Sequence, residues 1–261
     1  MPSVTTATEQ YDGTSWSAQS SNNCGRCSVV GFGTAAAGVL AGGMCNNSFF
    51  NATEEYDGSS WANGPNMINT LRYLIKGAGT QDAGMVAGGY NPSTYVACTE
   101  EYDGSSWNSG GALITARFNI TVNGSQNDAL ANGGSNPSAT KCIETYNGST
   151  WSVEATSINT GAAGVSSGTS NTTLWVNGYA PASGACVEEF NGTAWSRASA
   201  TLHLNRERLG DGNSSAVTIF GGHSSPSEGV FTNTEEYNCG PDQLLGAGFQ
   251  CYINTVVFDT E

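Results

Sequence analysis

The chain has 261 residues, a formal net charge of −14 and only eight Lys and Arg. That balance excludes nucleic-acid binding through phosphate neutralisation, which depends on cationic side chains. Hydrophobic residues make up 38% of the chain and aromatics 10%, which argues for a packed domain rather than a disordered one despite 35 glycines.

The chain opens MPSVTTATEQYDG, with neither the basic nor the apolar region of a secretory signal. No apolar run approaches the ~20 residues of a membrane helix, so no membrane insertion is expected. By residue 8 a motif begins that organises everything after it. TEQYDGTSW at 8–16 returns as TEEYDGSSW at 53–61 and 99–107, IETYNGSTW at 143–151, VEEFNGTAW at 187–195 and the truncated TEEYNCG at 234–240. Its aromatic residues are Tyr11, Tyr56, Tyr102, Tyr146, Phe190 and Tyr237, spaced 45, 46, 44, 44 and 47 apart. A sustained period in this range marks a repeat architecture.

The cells fall at about 8–26, 27–61, 72–107, 116–151, 160–195 and 206–238, with 239–261 as a closing segment of one domain. About ten residues after each Trp comes Arg26, Arg72, Arg117 or Arg206, with Gly161 as the exception. A small-residue stretch then ends in Gly42-Gly43, Gly88-Gly89, Gly133-Gly134, Asn177-Gly178 or Gly221-Gly222. Short apolar runs bounded by turn residues read as buried strands. Asp57-Gly58 and its counterparts read as tight hairpin turns needing positive φ. Tyr11/Trp16, Tyr56/Trp61, Tyr102/Trp107, Tyr146/Trp151, Phe190/Trp195 and Tyr237 should then pack between adjacent sheets.

Four short antiparallel strands per cell is the recipe for a β-propeller blade. Arg, a Gly-Gly pair, an acidic-Tyr-Asp segment and Trp, in that order, resemble the kelch repeat over residues 8–238. The expected fold is all-β: one propeller of kelch-like four-stranded blades. Six blades are expected, closed by N- and C-terminal strands, with Ile253–Asp259 acting as a first inner strand beside the N-terminal hairpin. The rival count is five blades with a C-terminal appendage.

The loops that differ between cells lie at 44–52, 90–98, 135–141, 179–186 and 223–233, and variable loops on a rigid scaffold are where recognition usually sits. Their candidate binding residues are Phe49, Phe50, Tyr90, Asn91, Tyr95, Tyr179, His223 and Phe231. Cys98, Cys142 and Cys186 share one repeat position. At blade spacings of ~10 Å they are too far apart to pair, and they read as small buried hydrophobes or links to other chains. Cys239 and Cys251 bracket the segment that lacks a Trp hairpin and form the first disulfide expectation; Cys45 with Cys24 or Cys27 is the second. Cys24-Gly-Arg-Cys27 is a lone CxxC, insufficient for a metal or redox site.

No nucleophile motif or phosphate loop is present, and His203 and His223 assemble into no ligand cluster. The repeated pairs Glu54-Glu55, Glu100-Glu101, Glu188-Glu189 and Glu235-Glu236 read as structural, one Glu meeting the repeated Arg and the other facing solvent. No enzyme activity, metal or cofactor is expected. The repeat wording, in an acidic chain of low charge density, also resembles virion structural proteins of tailed bacteriophages, particularly those infecting cyanobacteria. That resemblance implies a head decoration, or a tail or fibre component, present in many copies. Its partners would be other virion proteins and host-surface glycans, and its location the virus particle. The alternatives are a bacterial extracellular lectin-like or fibre-forming propeller and, behind it, a propeller-fold carbohydrate-active enzyme.

Overall fold

The computed structural model describes residues 5–12, 14–45, 48–69, 76–91, 93–154, 156–176 and 187–198, together with the strand backbones at 207–213, 216–223, 234–238 and 252–256. All regular structure among them is β, in antiparallel sheets that each run through consecutive stretches of chain. The N-terminal hairpin is β1 (Thr8–Tyr11) with β2 (Trp16–Gln19). Sheet I is β3 (Val30–Thr34), β4 (Ala37–Ala41), β7 (Thr53–Tyr56) and β8 (Trp61–Asn63), with a small ribbon of β5 (Met44–Cys45) and β6 (Ser48–Phe49) in its loop. Sheet II holds β9 (Lys76–Thr80), β10 (Ala83–Ala87), β11 (Thr99–Tyr102) and β12 (Trp107–Ser109).

Sheet III holds β13 (Thr121–Ser125), β14 (Asp128–Asn132), β15 (Ile143–Tyr146) and β16 (Trp151–Val153); sheet IV holds β17 (Val165–Gly168), β18 (Thr173–Val176), β19 (Val187–Phe190) and β20 (Trp195–Arg197). Sheet V is β21 (Glu207–Asn213), β22 (Ala216–His223), β23 (Thr234–Asn238) and β24 (Tyr252–Val256). Chain proximity groups Met1–Phe118, Ser125–Asn127 and Asn147–Trp151 into one compact unit and the remainder into a second.

The expected role of the C-terminal strand needs correction. β24 pairs with β23, Tyr237 opposite Ile253, and so takes the outer position that the Trp strand holds in other sheets. It is not an inner strand beside the N-terminal hairpin. With the Trp arm missing after Tyr237, β23 would otherwise leave an open edge, and β24 covers it.

The second strand carries the small apolar residues, and in sheets II, III and IV it is the most buried: Met85, Val86 and Ala87 in β10 and Ala129, Leu130 and Ala131 in β14 are fully enclosed. Opposite each sits the TEEY strand, with Leu40 facing Glu54, Val86 facing Glu100, Ala131 facing Glu144 and Trp175 facing Glu188. Alternation sends the first Glu and the aromatic residue to one side and Thr53 and Glu55 to the other. All four of these first glutamates are buried, Glu54 at 1% exposure and the others at 0%. For Glu54, Glu100 and Glu188 the answer to that charge comes from the linker entering the same sheet. Arg26 pairs with Glu54 at 3.1 Å, and the Asn23 amide donates to Glu54 Oε2 at 2.6 Å. The amides of Ile68 and Asn69 donate to Glu100, and those of Ile158 and Asn159 to Glu188, both at 2.9 Å. The first Glu is therefore structural, as expected. The second does not simply face solvent, because Glu55 accepts the hydroxyl of Tyr102 from the next sheet. Burial, reinforced by that carboxylate, pushes the Tyr102 hydroxyl well above its ordinary value.

The Asp-Gly segment is a four-residue loop rather than a two-residue turn. Tyr56 pairs with Trp61, and Asp57 Oδ1 accepts the amides of Ser59 and Ser60 at 2.8 and 2.7 Å. This Asx arrangement lets Asn147 and Asn191 replace Asp without loss, since only a carbonyl-type oxygen is needed. Gly58 supplies the φ of 90° that closes the loop.

The loop brings Tyr and Trp together across the hairpin, with centroids 5.0 Å apart for Tyr56–Trp61 and 4.8 Å for Tyr102–Trp107. The indole then reaches the preceding sheet. Nε1 of Trp61, Trp107 and Trp151 donates to Thr8, Thr53 and Thr99 Oγ1 at 3.1, 3.0 and 2.9 Å. The Tyr/Trp pairs are thus inter-sheet packing, as their spacing implies. Gln81 and Gln126 add a second tie, each donating to two carbonyls of the preceding sheet, Gly38 and Tyr56 or Gly84 and Tyr102.

Candidate functional site

Three of the loops after the second strand fold back on themselves: β5–β6 in sheet I, a Tyr90–Tyr95 bridge in sheet II and a Ser135–Ala139 bridge in sheet III. Corresponding amides close them, Phe50 onto the Gly43 carbonyl, Val96 onto Gly89 and Thr140 onto Gly134, at 3.0, 3.0 and 2.9 Å. The scaffold is shared, so the side chains it carries are free to differ.

In sheet II they form an aromatic cluster. Tyr90 and Tyr95 sit 5.6 Å apart by ring centroid. Phe118, from the linker entering the next sheet, lies 5.8 Å from Tyr90 and stacks on Tyr95 at 5.5 Å with only 2° between planes. All three rings are half-buried. The linker is held there by the Gly89 amide, which donates to the Arg117 carbonyl at 2.9 Å, while the Arg117 side chain itself is fully buried. Asn91 turns the loop, its Oδ1 accepting the amides of Ser93 and Thr94 at 2.9 and 2.8 Å, and both residues are exposed beside the rings. Residues 89–98 carry no charged side chain. The result is a neutral surface of ring edges and faces with hydroxyls at its rim, on a chain whose net charge is −14. The same loop positions in sheet III carry Ser135 and Ala139, and the residue matching Phe118 there is Ala162, so the repeat itself does not require the rings.

Of the expected loop residues, Tyr90, Asn91 and Tyr95 are brought together. Phe49 pairs with Met44 in the separate sheet I ribbon, and Phe50 follows it, half-buried. Tyr179 and Phe231 lie outside the described residues, as do His203 and the side chain of His223. Phe118 is the member that the loop-by-loop reading missed. Its signal was an aromatic residue directly after the repeated Arg, at Tyr73 and Phe118.

The cysteines need correction. Cys24, Cys27 and Cys45 are free thiols. Cys27 bridges to Met44, and Cys45, the next residue, points to the opposite side of the extended backbone, away from Cys27. Cys98 is exposed and Cys142 half-buried, not buried hydrophobes: each lies just before the third strand, where its carbonyl closes the last bond between the two central strands by accepting the Gly88 or Gly133 amide. The Cys239–Cys251 expectation and Cys186 lie outside the described residues. Among the described residues no group of His, Cys, Asp and Glu is placed to hold a metal ion.

No family model matches the sequence, and no curated protein is significantly similar to it. The fold does have solved counterparts. The structure of YjhT, a β-propeller, superposes with a TM-score of 0.76, covering 95% of this chain and 91% of that one at 13% identity. The fold is a β-propeller. At that identity the likeness extends to the fold and no further.

Proposed function

We propose that this propeller is a non-enzymatic attachment protein that binds a neutral saccharide of a host surface through the Tyr90–Tyr95–Phe118 patch. The observation that carries the reading is the half-exposed aromatic triad, built at loop positions where sheet III has only Ser and Ala. Aromatic faces stack on the C–H face of a sugar ring, and nearby Ser, Thr and Asn supply hydrogen bonds to its hydroxyls. The net charge disfavours anionic sugars, because every approach to the chain crosses a repulsive field. We place the protein on a tailed-phage particle, in many copies, on the strength of the TEEYDGSSW wording and the acidic, weakly charged composition.

The test is a binding titration of the full chain against neutral and sialylated glycans, repeated with Tyr95→Ala and Phe118→Ala. The reading expects binding to neutral glycans that either variant weakens at least about tenfold, as loss of one stacked ring implies. Binding that both variants leave intact, or a preference for the sialylated set, overturns it.

A further inference from the structure

The joint between sheets III and IV differs from those before it. Where Trp107 donates to Thr53, Trp195 meets Ile143, and its Nε1 has no partner. Where Gln81 reaches two carbonyls of the preceding sheet, the chain has Ser170, too short to reach and also unpartnered. Where Tyr102 donates to Glu55, the pair becomes Phe190 and Thr145, and the hydroxyl that would make the tie is gone.

Polar atoms accumulate where these ties are lost. Asn132, 1% exposed, has neither its Oδ1 nor its Nδ2 bonded, although the matching residues of sheets I and II are Ala41 and Ala87. It pairs with Ile143, so by alternation it points toward sheet IV. Thr121 Oγ1, unpartnered, shares a face of β13 with Asn123, whose amide crosses to Thr169 and Thr173 of sheet IV at 2.9 Å. From the other side come Trp175 and Ser166, paired with each other and both unpartnered at Nε1 and Oγ. Trp175 is aimed at this end of sheet III, since a Cβ on Gly133, next to Asn132, would lie 3.1 Å from its ring.

Buried polar groups are almost always satisfied, and an internal water typically takes about three such partners at once. We propose that the joint between sheets III and IV is a hydrated seam, in which ordered water bridges Asn132 and Thr121 of one sheet to Trp175 and Ser166 of the other. The Trp175 indole donates only, the Asn132 amide and the two hydroxyls both donate and accept, and none is charged, a set that suits water and offers nothing to neutralise an ion.

The test uses the full chain labelled with ¹⁵N-tryptophan, reading indole N–H contacts with long-lived water by rotating-frame cross-relaxation. Trp175 and Trp195 should show water cross-peaks and exchange with solvent at least about tenfold faster than Trp107 and Trp151, whose indoles are bonded to Thr. Asn132→Ala, which copies Ala41 and Ala87, should weaken the Trp175 cross-peak and leave Trp107 and Trp151 unchanged. If that variant does not fold, the wild-type comparison decides alone. A dry, slowly exchanging Trp175 overturns the proposal, and so does a Trp175 water contact undiminished in a folded Asn132→Ala.

Discussion

The indole of Trp107 donates to Thr53 across 3.0 Å, and both residues are enclosed, at 6% and 1% exposure. The bond joins the outer strand of one sheet to the third strand of the sheet before it. Recurring at Trp61–Thr8 and Trp151–Thr99, it is the most regular polar tie between sheets among the described residues.

Thr53→Val keeps the shape of the side chain and removes the acceptor. A buried indole N–H left unpaired costs about 1–3 kcal/mol, so the variant should unfold at lower denaturant by that amount. Equilibrium denaturation with an unchanged slope is the check, and stability within error of wild type would contradict it.

Glu54 and Arg26 form a buried ion pair at 1–2% side-chain exposure. Removing one charge strands the other, at a cost of about 3–5 kcal/mol, whereas replacing both with apolar residues costs much less. Arg26→Met alone should therefore be more destabilising than Arg26→Met with Glu54→Leu. A double-mutant cycle measures this, and purely additive losses would refute it.

Gly84 lies directly beneath the ring of Phe32 in the adjacent sheet, where an added Cβ would sit 2.1 Å from a ring carbon. Gly84→Ala should cost about 1–3 kcal/mol through overpacking, and Phe32→Leu in the same chain should recover part of it. Melting temperatures of the two single variants and the double variant decide the point.

Gly161 stands where four other cells have Arg, and its carbonyl and the Trp175 ring both abut Gly133. Trp175 occupies a position filled by Leu40 and Val86 in sheets I and II. Restoring the cation by Gly161→Arg should destabilise the wild type by crowding the indole, and should do so less once Trp175→Leu has made room. Equal penalties in both backgrounds would show that the two positions are independent.

Asp57 accepts two amides and two hydroxyls within its loop, which lowers its carboxyl to about 2, the Ser59 hydroxyl contributing most. A depressed carboxylate contributes stability above its unfolded pKa of about 3.9 and loses it as pH falls toward the folded value. The Asp57 carboxyl carbon, followed by NMR, should therefore titrate below the ordinary range. Asp57→Asn should flatten the acid dependence from this loop while keeping the Asx bonds, as Asn147 already does. A midpoint near 4 would refute the assignment.

The sequence by itself determined the period, the four-strand cell, the burial of Tyr and Trp between sheets and the structural use of the first Glu. These are legible because they follow from local alternation and turn chemistry repeated with the same letters: what TEEY does once, it does in every copy. Only the tertiary structure decided what depends on which surfaces meet. It put β24 against β23, since any strand of suitable pattern can cover an exposed edge. It set Cys45 facing away from Cys27, an outcome fixed by pairing register rather than spacing. It carried Phe118 from a linker onto the Tyr90 loop, a contact between segments that no local pattern joins. Ile143, Thr145, Gly161, Ser170 and Phe190 are scattered through the chain as single departures from the repeat. They are one feature only because the packing of sheet IV against sheet III brings both sides of a single joint together.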